Sequence, residues 1–101
     1  MMIKVLGTKY TIKEVNHCII EDRECAGLTD FEAKEIQILK TTKSKNAVVR
    51  HEIIHAYLYE SGLDSSSNEI DSWARNEEMV DWFAIQSPKI FKTFEKVGVL
   101  D

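Results

Sequence analysis

At 101 residues with 44% hydrophobic content, the chain has room for one domain, residues 1–101, around a single modest core. Its net charge of -4 and pI near 5.4 exclude a general nucleic-acid surface, which needs a basic face. The opening Met1-Met2-Ile3-Lys4-Val5-Leu6 is too short an apolar run for a signal peptide, and no later stretch is long enough to cross a bilayer. The expected location is therefore cytoplasmic, away from membranes, as a monomer or weak oligomer.

Residues 3–6 and 10–15 are rich in β-formers around Gly7-Thr8 and predict a short hairpin or one bent strand. Residues 16–24 are polar and charged and predict a loop that exposes His17. The two cysteines, Cys18 and Cys25, match no zinc-ribbon spacing. In a reducing compartment they are expected as plain thiols, with a disulfide or a metal role as the lesser alternatives. Residues 25–30 and 35–39 flank Phe31-Glu32-Ala33-Lys34 and predict a second hairpin, with Ile36 and either Ile38 or Leu39 toward the helices. The polar link 41–46 offers several N-caps. Lys40, Lys43, Lys45 and Arg50 around it are expected as a solvated approach to the following helix rather than a binding patch.

That helix, residues 44–61 with Gly62 as its stop, contains Arg50-His51-Glu52-Ile53-Ile54-His55. Two histidines four residues apart project from one helix face, one turn apart, which is the spacing two imidazoles need to hold one zinc ion. Glu52 follows the first histidine and lies beside the metal position, where it can take a proton from water. Zinc fits because it accepts imidazole nitrogen tetrahedrally. With three protein ligands it keeps a position for water, whose pKa falls toward about 7. Ala47, Val48, Ile54 and Leu58 make the histidine side apolar. A pair of half-buried, hydrogen-bonded histidines on an amphipathic helix is the plainer alternative.

Beyond a serine-rich loop at 63–67, Ser66 and Glu69 have capping-box spacing and open a second predicted helix, 67–86. Counting by three and four from Glu77 gives Ile70, Trp73, Ala74, Val80, Asp81 and Ala84, an apolar stripe interrupted by two acids one turn apart. Buried carboxylates need a partner or a cation. Glu77 is accordingly the expected third ligand, and Asp81 the acceptor that holds a ligand histidine by its other N–H. Glu78, turned about 100° away, is an ordinary surface acid beside Asp71 and Arg75. An acidic, solvated helix face partnered by Arg75 is the alternative. Ser87-Pro88 then marks the start of a third helix, 88–97, with Ile90, Phe91 and Phe94 as its apolar side and Gly98 ending it. Trp73, Trp82, Phe83, Phe91 and Phe94 are expected in the core.

His51-Glu52-x-x-His55 followed by Glu77-x-x-x-Asp81 resembles the zincin superfamily, in its branch with a glutamate third ligand, to which thermolysin-like peptidases belong. Glu78-Met79-Val80-Asp81-Trp82-Phe83-Ala84 is similar, more narrowly, to the Glu-x-Glu-Ala-Asn-x-Phe-Ala segment of the ImmA/IrrE metallopeptidases, especially their short phage-encoded members. The likeness spans residues 27–90. Val80-Asp81 stands where that family has Ala-Asn, nearer the thermolysin-like acid, and no helix-turn-helix segment accompanies the motif in these 101 residues.

The resemblance implies an α+β, minimal zincin-like domain: a small antiparallel or mixed N-terminal sheet, the His-Glu-x-x-His helix, the glutamate-ligand helix and a short C-terminal helix. It also implies a zinc-dependent endopeptidase acting on a protein or peptide, such as a repressor-like regulator, with His51, His55 and Glu77 on Zn²⁺ and Glu52 as catalytic base. The strand beside the metal helix would then pair with an extended substrate; an ordinary edge strand is the alternative. Glu52 would pass its proton to the leaving amine, with Tyr59, Arg75 and His17 as candidates to stabilise the oxyanion. Two other classes compete. One is a zinc-holding interaction module that binds without cutting; the other is a metal-free interaction domain whose acids and histidines form an internal network.

Overall fold

Alternation in the N-terminal half sets the sheet. Along Thr8–Val15, Tyr10 is buried and Ile12 half-buried while Lys9, Thr11 and Lys13 point to solvent, and along Glu35–Leu39 the buried residues are Ile36 and Ile38. The period of two thus places Ile38, not Leu39, in the core. The computed structural model describes residues 1–64 and 72–101. In it β1 (Met2–Val5), β2 (Thr8–Val15), β3 (Ile19–Ile20), β4 (Arg23–Glu24), β5 (Gly27–Asp30) and β6 (Glu35–Leu39) precede α1 (Lys45–Glu60), a 3₁₀ turn (Trp73–Arg75) and α2 (Glu77–Val97).

The fold is α+β, with a mixed four-stranded sheet of order β1-β2-β6-β5 followed by two helices. Both expected hairpins form: β1 is antiparallel to β2, and β5 to β6 with Gly27 opposite Ile38. A parallel pairing of β2 with β6 joins them. The stretch 16–24, expected as a loop, folds instead into a separate two-stranded hairpin, β3–β4.

One face of the sheet is closed by α1. Val48, Val49, Ile53 and Ala56 pack on Val5, Tyr10, Ile36 and Ile38. Each fully buried Ile or Val there contributes about 1.5–3 kcal/mol. At the end of α1, Glu60 receives hydrogen bonds from the Tyr10 hydroxyl (2.7 Å), the Lys34 ammonium (2.8 Å) and Thr8 (3.2 Å), which pins the helix to the sheet. Gly62, at φ 82°, then ends α1 as expected: its N–H bonds Tyr59 O and that of Leu63 bonds Leu58 O, a closure that needs a left-handed residue.

The C-terminal half departs from expectation in three ways. First, α2 begins at Glu77 because Asn76 caps it, the side chain accepting from the Met79 N–H at 2.8 Å. The expected cap at Ser66 and Glu69, and the residues Ile70 and Asp71, lie outside the described residues. Second, no separate third helix forms; α2 runs through Ser87-Pro88 to Val97. Pro88 has no N–H for the Ala84 carbonyl four residues back. The Arg50 guanidinium donates to that carbonyl at 2.6 Å, so Arg50 is half-buried and engaged rather than part of a solvated basic cluster. Third, the aromatic residues are not core. Trp73, Trp82, Phe83, Phe91 and Phe94 are 38–57% exposed: Trp73 lies on the 3₁₀ turn, and α2, which carries the other four, buries only the small Val80 and Ala84.

Candidate metal centre

α1 delivers His51, Glu52 and His55, and the first residue of α2 delivers Glu77. The two imidazoles stand edge to face, 4.8 Å between ring centres. Glu77 Oε1 lies 2.8 Å from Nε2 of each histidine, and the two Nε2 atoms are 3.1 Å apart.

The outward nitrogens decide what this convergence means. His55 Nδ1 is 2.6 Å from the Ala74 carbonyl, which can only accept, so Nδ1 carries the ring proton. The neutral ring then presents Nε2 as a bare lone pair. His51 Nδ1 faces Asp81 Oδ1 at 3.4 Å, which favours the same tautomer. Two lone pairs and a carboxylate oxygen therefore point at one spot, an arrangement that demands either an added proton or a cation.

Zinc suits this donor set of two imidazole nitrogens and one carboxylate oxygen. Tetrahedral bonds of about 2.0–2.2 Å would hold the donors about 3.3–3.6 Å apart, and the separations of 2.8, 2.8 and 3.1 Å need only a small expansion. Among the described residues, His51, His55 and Glu77 form the one group of three such side chains whose donor atoms lie within 4.8 Å of one another. They could hold a metal ion.

Glu52 lies beside them, buried at 6% exposure. The Thr29 hydroxyl donates to its Oε1 at 2.7 Å and approaches its backbone carbonyl at 3.1 Å. Burial pushes the Glu52 carboxyl upward, against the Thr29 hydrogen bond and the neighbouring His55 and His51. For Glu77 burial acts in the same direction, but His55 and His51 overcome it and hold that carboxyl below the ordinary range. Glu77 is 74% exposed where His55 is 7% exposed.

Two grooves flank the cluster. One, of about 240 Å³, is lined by Leu28, Thr29, Phe31, His55 and Arg75; the other, of about 500 Å³, by Cys25, Val48, His51, Asp81 and Ile85. Glu52, Glu77, Gly27 and Ile20 border both, so the grooves form one cleft along β5.

The structure thus brings together His51, Glu52, His55, Glu77 and Asp81. Asp81 serves His51, while His55 is held by the Ala74 carbonyl, a backbone group with no signature in the sequence. Of the oxyanion candidates, Arg75 lines the cleft, over the Phe31 ring at 5.3 Å and ion-paired to Asp64. Tyr59 sits one layer behind, stacked on Phe31 at 4.2 Å and beneath Lys34. His17 is on the outer surface, 3.3 Å from Glu24, and lines neither groove. Glu78 is exposed. Sequence reasoning also missed Thr29 and Gly27. A β-carbon on Gly27 would come 2.9 Å from Val48 Cγ1 and 3.1 Å from Glu52 Cγ, so only glycine lets β5 approach α1 this closely.

No protein-family model matches the sequence, and neither a curated protein nor a solved structure is significantly similar to it. Fold and site together define an α+β domain with a two-histidine, one-glutamate group able to hold a metal. No helix among the described residues is long and apolar enough to cross a membrane.

Proposed function

We propose that this chain is a zinc-dependent endopeptidase of the zincin type, related in pattern to the short ImmA/IrrE metallopeptidases. The observation that carries the proposal is the meeting of three metal donors with a buried carboxylate at the floor of an open cleft. His51, His55 and Glu77 would hold the ion, which supplies a Lewis acid and draws the pKa of water toward about 7.

Everything else falls to the chain. Glu52 takes the proton of the attacking water and returns it to the leaving amine nitrogen. Its carboxylate is buried beside the two histidines, within reach of the position a water would take between them and the substrate. Thr29 holds that carboxylate in place through its Oε1. Of the three candidates for the oxyanion, Arg75 lines the cleft and would turn from its ion pair with Asp64 toward the charge that develops on the carbonyl oxygen. β5 is the last strand of its sheet and borders the cleft, so an extended peptide adds to its free edge. Main-chain bonding of this kind recognises a protein substrate with little regard to sequence, and a regulator with an exposed strand-like segment is the expected class.

The test has two parts. Metal analysis after dialysis should give one zinc per wild-type chain and a clear loss in His55→Ala and Glu77→Ala. Glu52→Gln should keep the zinc while cleavage of a dye-quenched unfolded protein falls by about 10²-fold or more. Unchanged cleavage by Glu52→Gln removes the assigned base. Zinc retained with no cleavage by wild type points instead to a binding module.

A further inference from the structure

Cys18 and Cys25 close the base of the β3–β4 hairpin. Ile19 pairs with Glu24 and Ile20 with Arg23, so the next rung sets Cys18 opposite Cys25, and the Cys25 N–H donates to the Cys18 carbonyl at 2.8 Å. Hydrogen-bonded partners across an antiparallel pair have Cα atoms about 5.5 Å apart, inside the roughly 4.4–6.8 Å that a disulfide spans. The two sulfurs are 3.8 Å apart and both are free thiols. Closing them to about 2.05 Å is a side-chain adjustment.

The two thiols differ in access. Cys18 is fully buried, whereas Cys25 is half-buried and lines the larger groove beside the histidine cluster.

The hairpin itself has little else to hold it. It has two rungs, and its turn residues Glu21 and Asp22 sit at φ 50° and 65°, a region that residues with side chains enter at a cost. A two-stranded ribbon of this kind is marginally stable by itself. Yet its Ile20, 47% exposed, borders both grooves of the cleft.

We propose that Cys18 and Cys25 form a reversible dithiol–disulfide site that pins the β3–β4 hairpin at the mouth of the metal cleft. The oxidant is a low-molecular-weight disulfide. The Cys25 sulfur, the accessible one, attacks it, forming a Cys25–S–S–R bond and releasing one thiol, which carries off the Cys25 proton. Cys18 Sγ then attacks Cys25 Sγ, forming the protein disulfide and expelling the second thiol with the Cys18 proton. Two protein thiols lose two electrons and one small disulfide gains them. Burial, and next the adjoining Cys25 sulfur, push the Cys18 thiol up to about 12, which makes it the poorer first nucleophile and the resolving partner. The site needs neither metal nor hydrolysis.

The purified full chain is equilibrated without oxygen across a series of reduced to oxidised glutathione ratios, quenched in acid, alkylated and weighed by mass spectrometry. The expected result is passage from a doubly alkylated chain to an unalkylated one lighter by two hydrogens, reversed by dithiothreitol. Amide exchange over residues 19–24 should slow about tenfold in the oxidised form, with a Tm higher by about 5–10 °C. Cys18→Ser should accumulate the glutathione adduct on Cys25, and Cys25→Ser should form no internal disulfide. A wild type that stops at the adduct, links into dimers or stays reduced overturns the proposal, as does a disulfide that leaves exchange in the hairpin unchanged. His55→Ala should oxidise as wild type does, so failure at the metal site and failure here are separate results.

Discussion

Arg50 links the two helices through a carbonyl that a proline has orphaned, and removing it should expose that dependence. Ala84 is 1% exposed, its carbonyl cannot bond residue 88 because Pro88 has no N–H, and the Arg50 guanidinium reaches it at 2.6 Å. Arg50→Met keeps much of the aliphatic stem and deletes the donor, leaving a buried acceptor unsatisfied at a cost of about 1–3 kcal/mol. For a domain of this size 2 kcal/mol lowers the Tm by roughly 10 °C. Pro88→Ala restores a helical N–H to the same carbonyl. In that background Arg50→Met should cost about 1–2 kcal/mol less, a coupling that urea denaturation of the four chains in the double-mutant cycle resolves. An equal cost in both backgrounds would refute the reasoning, since the carbonyl would then not be what Arg50 serves. Zinc titration of the folded single variant supplies a second readout: α2 carries Glu77, so a loosened helix pair should bind the ion more weakly.

Two further predictions concern the sheet. Gly27→Ala places a methyl 2.9 Å from Val48 Cγ1 and 3.2 Å from the Gln37 carbonyl, and should destabilise the fold by about 1–3 kcal/mol in urea; a cost near zero would mean that β5 and α1 are not tightly apposed. The Glu60 carboxyl is held below its ordinary range by Lys34 and then Tyr10, so its contribution is complete above about pH 4.3 and fades as pH falls through the lowered folded value. Burial and Glu60 raise the Tyr10 hydroxyl, so its contribution is complete below about pH 10 and fades as pH climbs through the raised folded value. Tyr10→Phe should therefore cost about 1.5–3 kcal/mol at pH 7 and flatten both limbs of a stability–pH curve; an unchanged curve would show that the Tyr10–Glu60 bond contributes nothing.

What local pattern controls was legible. The period of two in residues 8–15 and 35–39, the run 44–61 and the stop at Gly62 each follow from side chains near in sequence, and the structure has them almost residue for residue. What long-range packing controls was not. Pro88 reads as a helix start because nothing nearby shows that Arg50, far back on α1, supplies the missing donor. Trp82 and Phe91 read as core because hydrophobicity does not reveal that, among the described residues, α1 packs on the sheet while α2 packs on α1 and keeps its large side chains outward. Cys18 and Cys25 read as plain thiols, with a disulfide only the lesser alternative, because a hairpin of two rungs with glutamate and aspartate at its turn has no alternating apolar pattern to place them side by side. Glu77 was singled out from a stripe that assumed helix through Ile70 and Trp73. In the structure the helix starts at Glu77 itself, and what brings the carboxylate to the histidines is the Asn76 cap together with the packing of α2 on α1.

That origin makes the cluster unequal in its two halves. The histidines are a fixed pair: α1 packs on the sheet, His55 is buried and tied to the Ala74 carbonyl, and His51 is braced by Asp81. Glu77 is 74% exposed and rides on the first residue of a helix whose place is set by a cap one residue before it and by the Arg50 guanidinium on the Ala84 carbonyl seven residues beyond it. α1 therefore presents a preformed two-nitrogen site, and α2 decides whether the third donor arrives. A substitution at Asn76 or Arg50, neither of which offers a metal ligand, should weaken ion binding by misplacing Glu77 while leaving both imidazoles where they stand.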